Sequence, residues 1–417
     1  MNLLIKNVLL HDSIQDIFIQ KGLIDFIGQN LNCEAENILD GTDKVAIPSF
    51  VNAHTHCAMT LMRSYADDME LHDWLENKIW PFEKNISEQD VYWATRLAII
   101  EMIKSGTTYF NDMYWHYPGT AQAVIDSGIH AHLSSAFIDL GDEETSKKQI
   151  EEQVKLFENR DQFSPNVTFS LGAHSLYTVL ESGLFWLRDF ANEHTLNIHM
   201  HLSETKKEVD EWVQQTGKRP VEYLESIGFL GSHIIAAHVN WVTDDEIKLL
   251  ADYNVGIAHC PTSNMKLASG VFPYQRIRDA GIRIGLATDG VASNNNVDML
   301  DEVKVAALLQ KSFNQDPTVM PADEAFYLAT EGSASLFGLN MGKIEVGKSA
   351  DLLLIDLNNI QLIPNHHLIS NLVYSAQSGC INTTIAKGEI LMENGCVKDE
   401  KNVIDHFQKV IRKRVKE

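Results

Sequence analysis

From Ala46 to Gly290 the chain alternates short apolar runs, rich in β-branched residues, with longer stretches whose apolar positions recur every three to four residues. The first pattern predicts strands and the second amphipathic helices, and their alternation predicts strand-helix units around a parallel sheet. The strand-like runs are AIPSFVNAHTH from Ala46, GTTYFND from Gly106, GIHAHLSSAFI from Gly128, VTFSLGAHS from Val167, NIHMHLSE from Asn197, IIAAHVN from Ile234, VGIAHCP from Val255 and RIGLATDG from Arg283. Eight such strands with helices between them close most simply into a (β/α)8 barrel of the α/β class. Helix starts are legible too. Ser87 with Asp90, and Thr243 with Glu246, have capping-box spacing, and after the first of these Val91, Ala94, Leu97 and Ala98 line one face until Gly106.

The two ends of the chain follow another rhythm. LLIKNVLLHD, IFIQKGLIDFIG, ADLLLIDL and TTIAKGEILMENG are strand-like pieces broken by turn pairs such as Lys21-Gly22 and Asn394-Gly395. They predict a small β-sandwich module composed of residues 1–45 and 342–417, lying on the flank of a catalytic barrel formed by residues 46–341.

Composition narrows the partners. The 417 residues are 44% apolar and 22% charged, enough for a large buried core. Lys plus Arg number 34 against 57 Asp plus Glu, a net charge of -23, which argues against a nucleic-acid backbone or an anionic membrane and favours a small neutral or cationic ligand. The opening MNLLIKNVLL lacks the features of a secretory signal, and no apolar run reaches membrane-spanning length, so a soluble cytoplasmic protein is expected. Cys33, Cys57, Cys260, Cys380 and Cys396 are scattered, without a CxxC pair, and are expected to be reduced thiols.

The chemistry is expected where polar residues collect, at the C-terminal ends of the strand runs, the face on which such barrels build active sites. His54 and His56 are two apart on one strand and so point the same way, a natural start for a Zn²⁺ or Fe²⁺ site. His201 adds a third imidazole. Spacing alone does not separate it from His199, but His201 lies nearer the mouth. Glu204, just beyond that strand, suits a proton carrier that does not bind the metal. His238 ends the sixth run, and Asp289 ends the eighth, offering one oxygen to a metal and the other to a proton from water.

These endings, HTH, HLSE, AHV and ATDG, resemble the mononuclear-metal deaminase branch of the amidohydrolase superfamily. Longer stretches, NAHTHCAMTLMRSYADDMELHDWLENKIWPFE, GAHSLYT, HCPTSNMKLASG, DGVASNNNVDM and GKIEVGKSADLLLIDL, resemble methylthioadenosine/S-adenosylhomocysteine deaminases and their ammeline and triazine hydrolase relatives. The resemblance covers nearly the whole chain. It implies one divalent metal ion, zinc first with Fe, Mn or Ni also suited, held by His54, His56, His201 and Asp289, with Glu204 and His238 handling protons. It further implies that Glu83 holds ribose hydroxyls, that His174 contacts substrate, and that the protein is a homo-oligomer. Binuclear relatives place a lysine at the end of strand four, where this chain reads Ser170-Leu171-Gly172-Ala173-His174, so a single metal is expected.

The expected reaction is hydrolytic deamination of an adenine nucleoside, namely 5'-methylthioadenosine, S-adenosylhomocysteine or adenosine, to the inosine analogue and ammonia. Relatives that take S-adenosylhomocysteine often carry arginine in a GxR setting after strand three, and Gly128-Ile129-His130 stands here instead, which favours the neutral tails. The competing readings are a guanine, pterin or cytosine-type deaminase, a triazine or ammeline hydrolase, and a non-catalytic binding protein on the same scaffold. Cys57, His259 and Cys260 are assigned structural roles, and the segment from Met59 to Trp80 is expected to cover the mouth.

Overall fold

The computed structural model describes residues 2–414. Each of the eight runs forms a strand: β1 (Phe50–Thr55), β2 (Thr107–Tyr114), β3 (His130–Phe137), β4 (Val167–Ala173), β5 (Ile198–Leu202), β6 (Ile234–His238), β7 (Gly256–His259) and β8 (Arg283–Leu286). They pair in parallel, each with its sequence neighbour, in one eight-stranded sheet. Every residue of β1, β2 and β3 is buried, as expected of strands covered on both faces.

Where β8 meets β1, a side chain completes the ring. Asn52 Nδ2 donates to Thr288 Oγ1 at 2.7 Å, its Oδ1 accepts the Thr288 N–H at 3.1 Å, and the Asp289 N–H reaches the His54 carbonyl at 3.0 Å. A carboxamide has the same donor and acceptor as a peptide unit, so Asn52 extends the ladder across the seam.

The expected helix starts form reciprocal capping boxes at Ser87/Asp90 and Thr243/Glu246, and a third is present at Thr205/Glu208. On the helix Glu88–Lys104, Val91, Ala94 and Ala98 are buried and Leu97 half-buried.

Nine strands from the two ends of the chain form a second, mixed sheet. Lys44–Pro48 joins its halves, meeting Asn2–Leu10 in parallel and Leu352–Asp356 antiparallel. Leu3, Ile5, Ile17, Ile19, Leu352, Leu354 and Ile385 share one core, and the turn at Gly22 abuts Lys387 on the far hairpin, so this single sheet curls into two facing layers. Its outer residues Val45, Ile47, Leu353 and Ile355 pack into the barrel core. Lys21 and Gly22 both have positive φ (51° and 77°), as do Asn394 and Gly395 (51° and 72°), the geometry that primed hairpin turns require. The last helix, Glu400–Arg414, packs against Glu88–Lys104: Lys104 Nζ pairs with Glu400 at 2.8 Å, and Trp93 stacks on His406 at 4.3 Å. All five cysteines are free thiols, and no described helix is long and apolar enough to cross a membrane.

Candidate metal centre and pocket

The strand ends bring His54, His56, His201 and Asp289 together. His54 Nε2 lies 3.1 Å and His56 Nε2 3.3 Å from Asp289 Oδ1, while His56 Nε2 and His201 Nε2 are 3.2 Å apart. Hydrogen bonds on the far side of each ring assign its tautomer. His56 Nδ1–H donates to the Met113 carbonyl at 2.6 Å, and His201 Nδ1–H to the His174 carbonyl at 2.7 Å. Both Nε2 atoms therefore present lone pairs, and burial keeps His201 well below, and His54 at about 4 against, the usual imidazole value. Lone pairs facing one another at 3.2 Å repel unless a cation lies between them. Bonds of about 2.0–2.1 Å to a tetrahedral zinc would separate ligands by roughly 3.3 Å, so the donor set fits such an ion.

His199 and His201 occupy different places in this geometry. His199 Nε2 sits behind His54, 2.6 Å from its Nδ1, and orients that ring. Asp289 Oδ2 accepts from the hydroxyls of Ser263 (2.6 Å) and Ser293 (2.9 Å). Burial pushes its carboxyl upward, but the His54 hydrogen bond and the neighbouring imidazoles outweigh that and hold it well below the ordinary carboxylate range.

Glu204 and His238 lie beside this cluster, His238 Nε2 being 3.7 Å from Glu204 Oε2. Burial raises the Glu204 carboxyl, with His238 partly offsetting it. Burial opposes protonation of His238, but Glu204, Asp289 and a 2.9 Å bond from Nδ1 to Asn264 together raise it. Glu204 Oε1 accepts from Ser269 at 3.0 Å, and its peptide N–H donates to Glu208 at 2.8 Å. Glu208 also takes the N–H groups of Ser203 and Thr205, which ties the turn to the following helix. His238, Val239 and Asp289 all have positive φ (72°, 52° and 62°), and in a β-branched residue such as Val239 that conformation is strained. The strain lies at the turns that carry the polar groups.

His56, His201, Glu204, His238 and Asp289 form the floor of a cavity, with Leu71, Trp74, Leu75, Ile79 and Trp80 as an apolar roof. The roof is the segment expected to cover the mouth. Glu83 and His174 line the same cavity. Glu83 Oε2 accepts from Trp115 Nε1 at 3.0 Å, the Tyr114 hydroxyl faces the same carboxyl, and burial raises that carboxyl above its ordinary value. His174 Nδ1 bonds Thr178 Oγ1 at 2.9 Å, and burial lowers it to about 3.

Two expectations change. Gly128-Ile129-His130 precedes β3 instead of following it, and His130 lies at the opposite end of the barrel in a separate cavity with Lys21, Asp351 and Lys387. The missing arginine at that triplet therefore does not bear on a ligand's carboxylate. The cavity lining does, and no lysine or arginine is among its described residues. Cys260, read as structural, has its sulfur within 4.8 Å of a ring nitrogen of His54 and of His238, so it abuts the cluster from behind. Cys57 is buried, its N–H donating to Asp112 at 2.6 Å, and His259 stacks on Phe272 at 4.3 Å with neither ring nitrogen partnered among the described residues.

The sequence reading did not single out Ser263, Asn264, Ser269, Ser293 or Glu208. They lie in HCPTSNMKLASG, DGVASNNN and the start of a helix, and the only signal was a density of small polar residues unusual for buried chain.

A parallel barrel with three imidazoles and a carboxylate converging at its C-terminal mouth defines the class: an enzyme scaffold built around a divalent metal. The model of the Amidohydrolase family matches residues 45–391, and the chain belongs to that family. It is 45% identical over 377 residues, 90% of this chain and 89% of the other, to a protein of Archaeoglobus fulgidus named 5-methylthioadenosine/S-adenosylhomocysteine deaminase 1. It is 42% identical, over 91% of this chain and 85% of the other, to a 5'-deoxyadenosine deaminase of Methanospirillum hungatei. Among solved structures, a zinc-bound adenosine deaminase from Xanthomonas campestris superposes with a TM-score of 0.93 at 31% identity, covering 100% of this chain and 98% of that one.

Proposed function

We propose that the protein is a hydrolytic deaminase of adenine nucleosides, replacing the 6-amino group with an oxo group and releasing ammonia. The observation that carries this reading is one cavity with two ends. At the floor a buried carboxyl, Glu204, stands beside a metal-type donor set; at the wall the Glu83 carboxyl, beside Trp115 and Tyr114, is suited to a sugar hydroxyl. The names of the relatives agree with it. Because the described lining holds no lysine or arginine, nucleosides with neutral 5' tails, 5'-methylthioadenosine, 5'-deoxyadenosine and adenosine, are preferred over S-adenosylhomocysteine, whose tail carboxylate would lack an ion-pair partner.

His54, His56, His201 and Asp289 would hold one divalent metal, zinc by analogy with the zinc-bound relative, although a His3Asp set also suits Fe, Mn or Ni. When bound, it supplies Lewis acidity that brings the pKa of water from about 16 toward ~7. The chain's own residues manage the protons. Asp289, with Oδ2 held by two serine hydroxyls, and His238, held by Asn264, orient the attacking water and take its proton. Glu204, whose raised carboxyl favours the protonated form, donates to the ring nitrogen next to the amino-bearing carbon, which makes that carbon electrophilic. Water oxygen adds there, the proton taken by Asp289 passes to the amino group, the C–N bond breaks as ammonia leaves, and the remaining hydroxyl proton returns to Glu204, leaving the oxo group. Residence in the cytoplasm and assembly into a homo-oligomer belong to the same reading.

The direct test is ammonia release by the zinc- or manganese-loaded protein. The expected result is turnover of adenosine, 5'-deoxyadenosine and 5'-methylthioadenosine, with S-adenosylhomocysteine poorer in kcat/KM. Turnover confined to guanine, cytosine or ammeline would reject the nucleoside reading.

A further inference from the structure

Glu83 sits in the short helix Trp80–Glu83, and something outside the barrel holds that helix against the cavity. On its outer side lies the C-terminal helix Glu400–Arg414, which the sequence placed in the β-module. Arg414 Nη2 donates to the Asn85 carbonyl at 2.7 Å and pairs with the Asp90 carboxylate, and its guanidinium carbon lies 5.6 Å from the centroid of the Phe82 ring. Both sides of this ion pair are well covered, with side-chain exposures of 12% for Arg414 and 13% for Asp90. Phe407, Val410 and Ile411 of the same helix pack into the cluster that contains Trp80, Phe82, Ile79 and Trp74. Ile79, Trp74 and Trp80 are roof residues of the cavity.

We infer that Arg414 is a positioning residue for ribose recognition: through Phe82, Asn85 and Asp90 it fixes the backbone on either side of Glu83 and so aims the Glu83 carboxyl into the cavity. The inference rests on the proposed nucleoside activity. Within the pocket, the Glu83 carboxyl meets Trp115 Nε1 and the Tyr114 hydroxyl, and outside it the contacts around Arg414 hold the helix that carries it. An arginine suits the task because one guanidinium nitrogen, Nη2, donates to the carbonyl and the carboxylate at once while the flat group lies near an aromatic ring. Lysine has the charge but not the flat group.

The test compares adenosine with 2',3'-dideoxyadenosine, which lacks the hydroxyls, in the metal-loaded enzyme. Arg414→Ala is expected to raise KM for adenosine about tenfold with kcat within about twofold, the pattern of lost uniform binding. KM for the dideoxy substrate is expected to stay unchanged, and Arg414→Lys to recover part of the adenosine KM. Glu400→Gln removes an ion pair at the far end of the same helix and controls for looser docking; it is expected to leave both KM values alone. Equal effects of Arg414→Ala on the two substrates, or no effect on either, would overturn the inference while leaving the deaminase reading intact. Failure of the unaltered enzyme to deaminate adenosine would instead overturn the reading beneath it. Should Arg414→Ala fail to fold, Asp90→Asn keeps the Asn85 bond, removes the charge partner, and is expected to show the same selective rise in smaller measure.

Discussion

Glu204, buried, and Glu83, half-buried, carry their carboxyls into one cavity, and their partners set them different tasks. Glu204 accepts a hydroxyl from Ser269 and faces His238, an arrangement for moving a proton. Glu83 accepts an indole N–H and faces the Tyr114 hydroxyl, an arrangement for binding. Glu204→Gln keeps the shape and the Ser269 contact but removes the transferable proton. It is expected to lower kcat by about 10² to 10⁴ while metal content, measured by elemental analysis, stays at the wild-type level. A variant with normal turnover would remove Glu204 from the proton-donor role. The residues that hold these groups were the hardest to read in advance. Nothing in the spacing of His199 and His201 separates a ligand from its support; the distances to His54 and His56 do.

At the scale of elements, the site depends on how the barrel closes. Asn52 bridges β1 and the end of β8 one residue from Asp289, so the same contact that completes the sheet also places a donor of the metal centre. Asn52→Leu fills the volume but leaves the buried Thr288 N–H without its acceptor. It is expected to cost about 1–3 kcal/mol, seen as a lower urea midpoint with unchanged slope, together with weaker metal retention. Strand and helix order was legible from apolar periodicity, because the eight strands and the longer helices between Phe50 and Leu286 turn apolar side chains inward and the pattern follows from that demand. The side chain at the seam was not legible. An asparagine two residues before HTH looks like any strand-end polar residue until its partner, far away in the chain, is known.

Across the whole molecule, the helix Met299–Asn314 anchors the turns after β7 and β8 through one fully buried acid. Glu302 accepts from Asn294 Nδ2 at 2.6 Å and from the Thr262 N–H at 3.3 Å, and burial raises its carboxyl to about 8. In the unfolded chain it would titrate near ~4.3. Between these values the folded state binds a proton that the unfolded state lacks, so stability falls as pH rises through this window, by at most about 1.4 kcal/mol per pH unit. The contribution is complete below the unfolded value and is gone above the folded one. Glu302→Gln is therefore expected to lose less melting temperature than the wild type between pH 6 and pH 8, as scanning calorimetry would show. Equal slopes would mean that Glu302 is already ionised in the folded protein.

The sequence by itself determined the barrel, the strands contributed by both ends and the histidines and aspartate that collect at the strand ends, because each follows from local rules: periodic burial, turn chemistry and the alternation of side chains along a strand. Tertiary structure alone decided that His201 meets His56 while His199 stands behind His54, where Gly128-Ile129-His130 lies relative to the mouth, and that the last helix leaves the β-module to pack beside the pocket roof. Those outcomes depend on contacts between residues far apart in the chain. Local pattern carries no information about such distances, whereas the folded backbone fixes them.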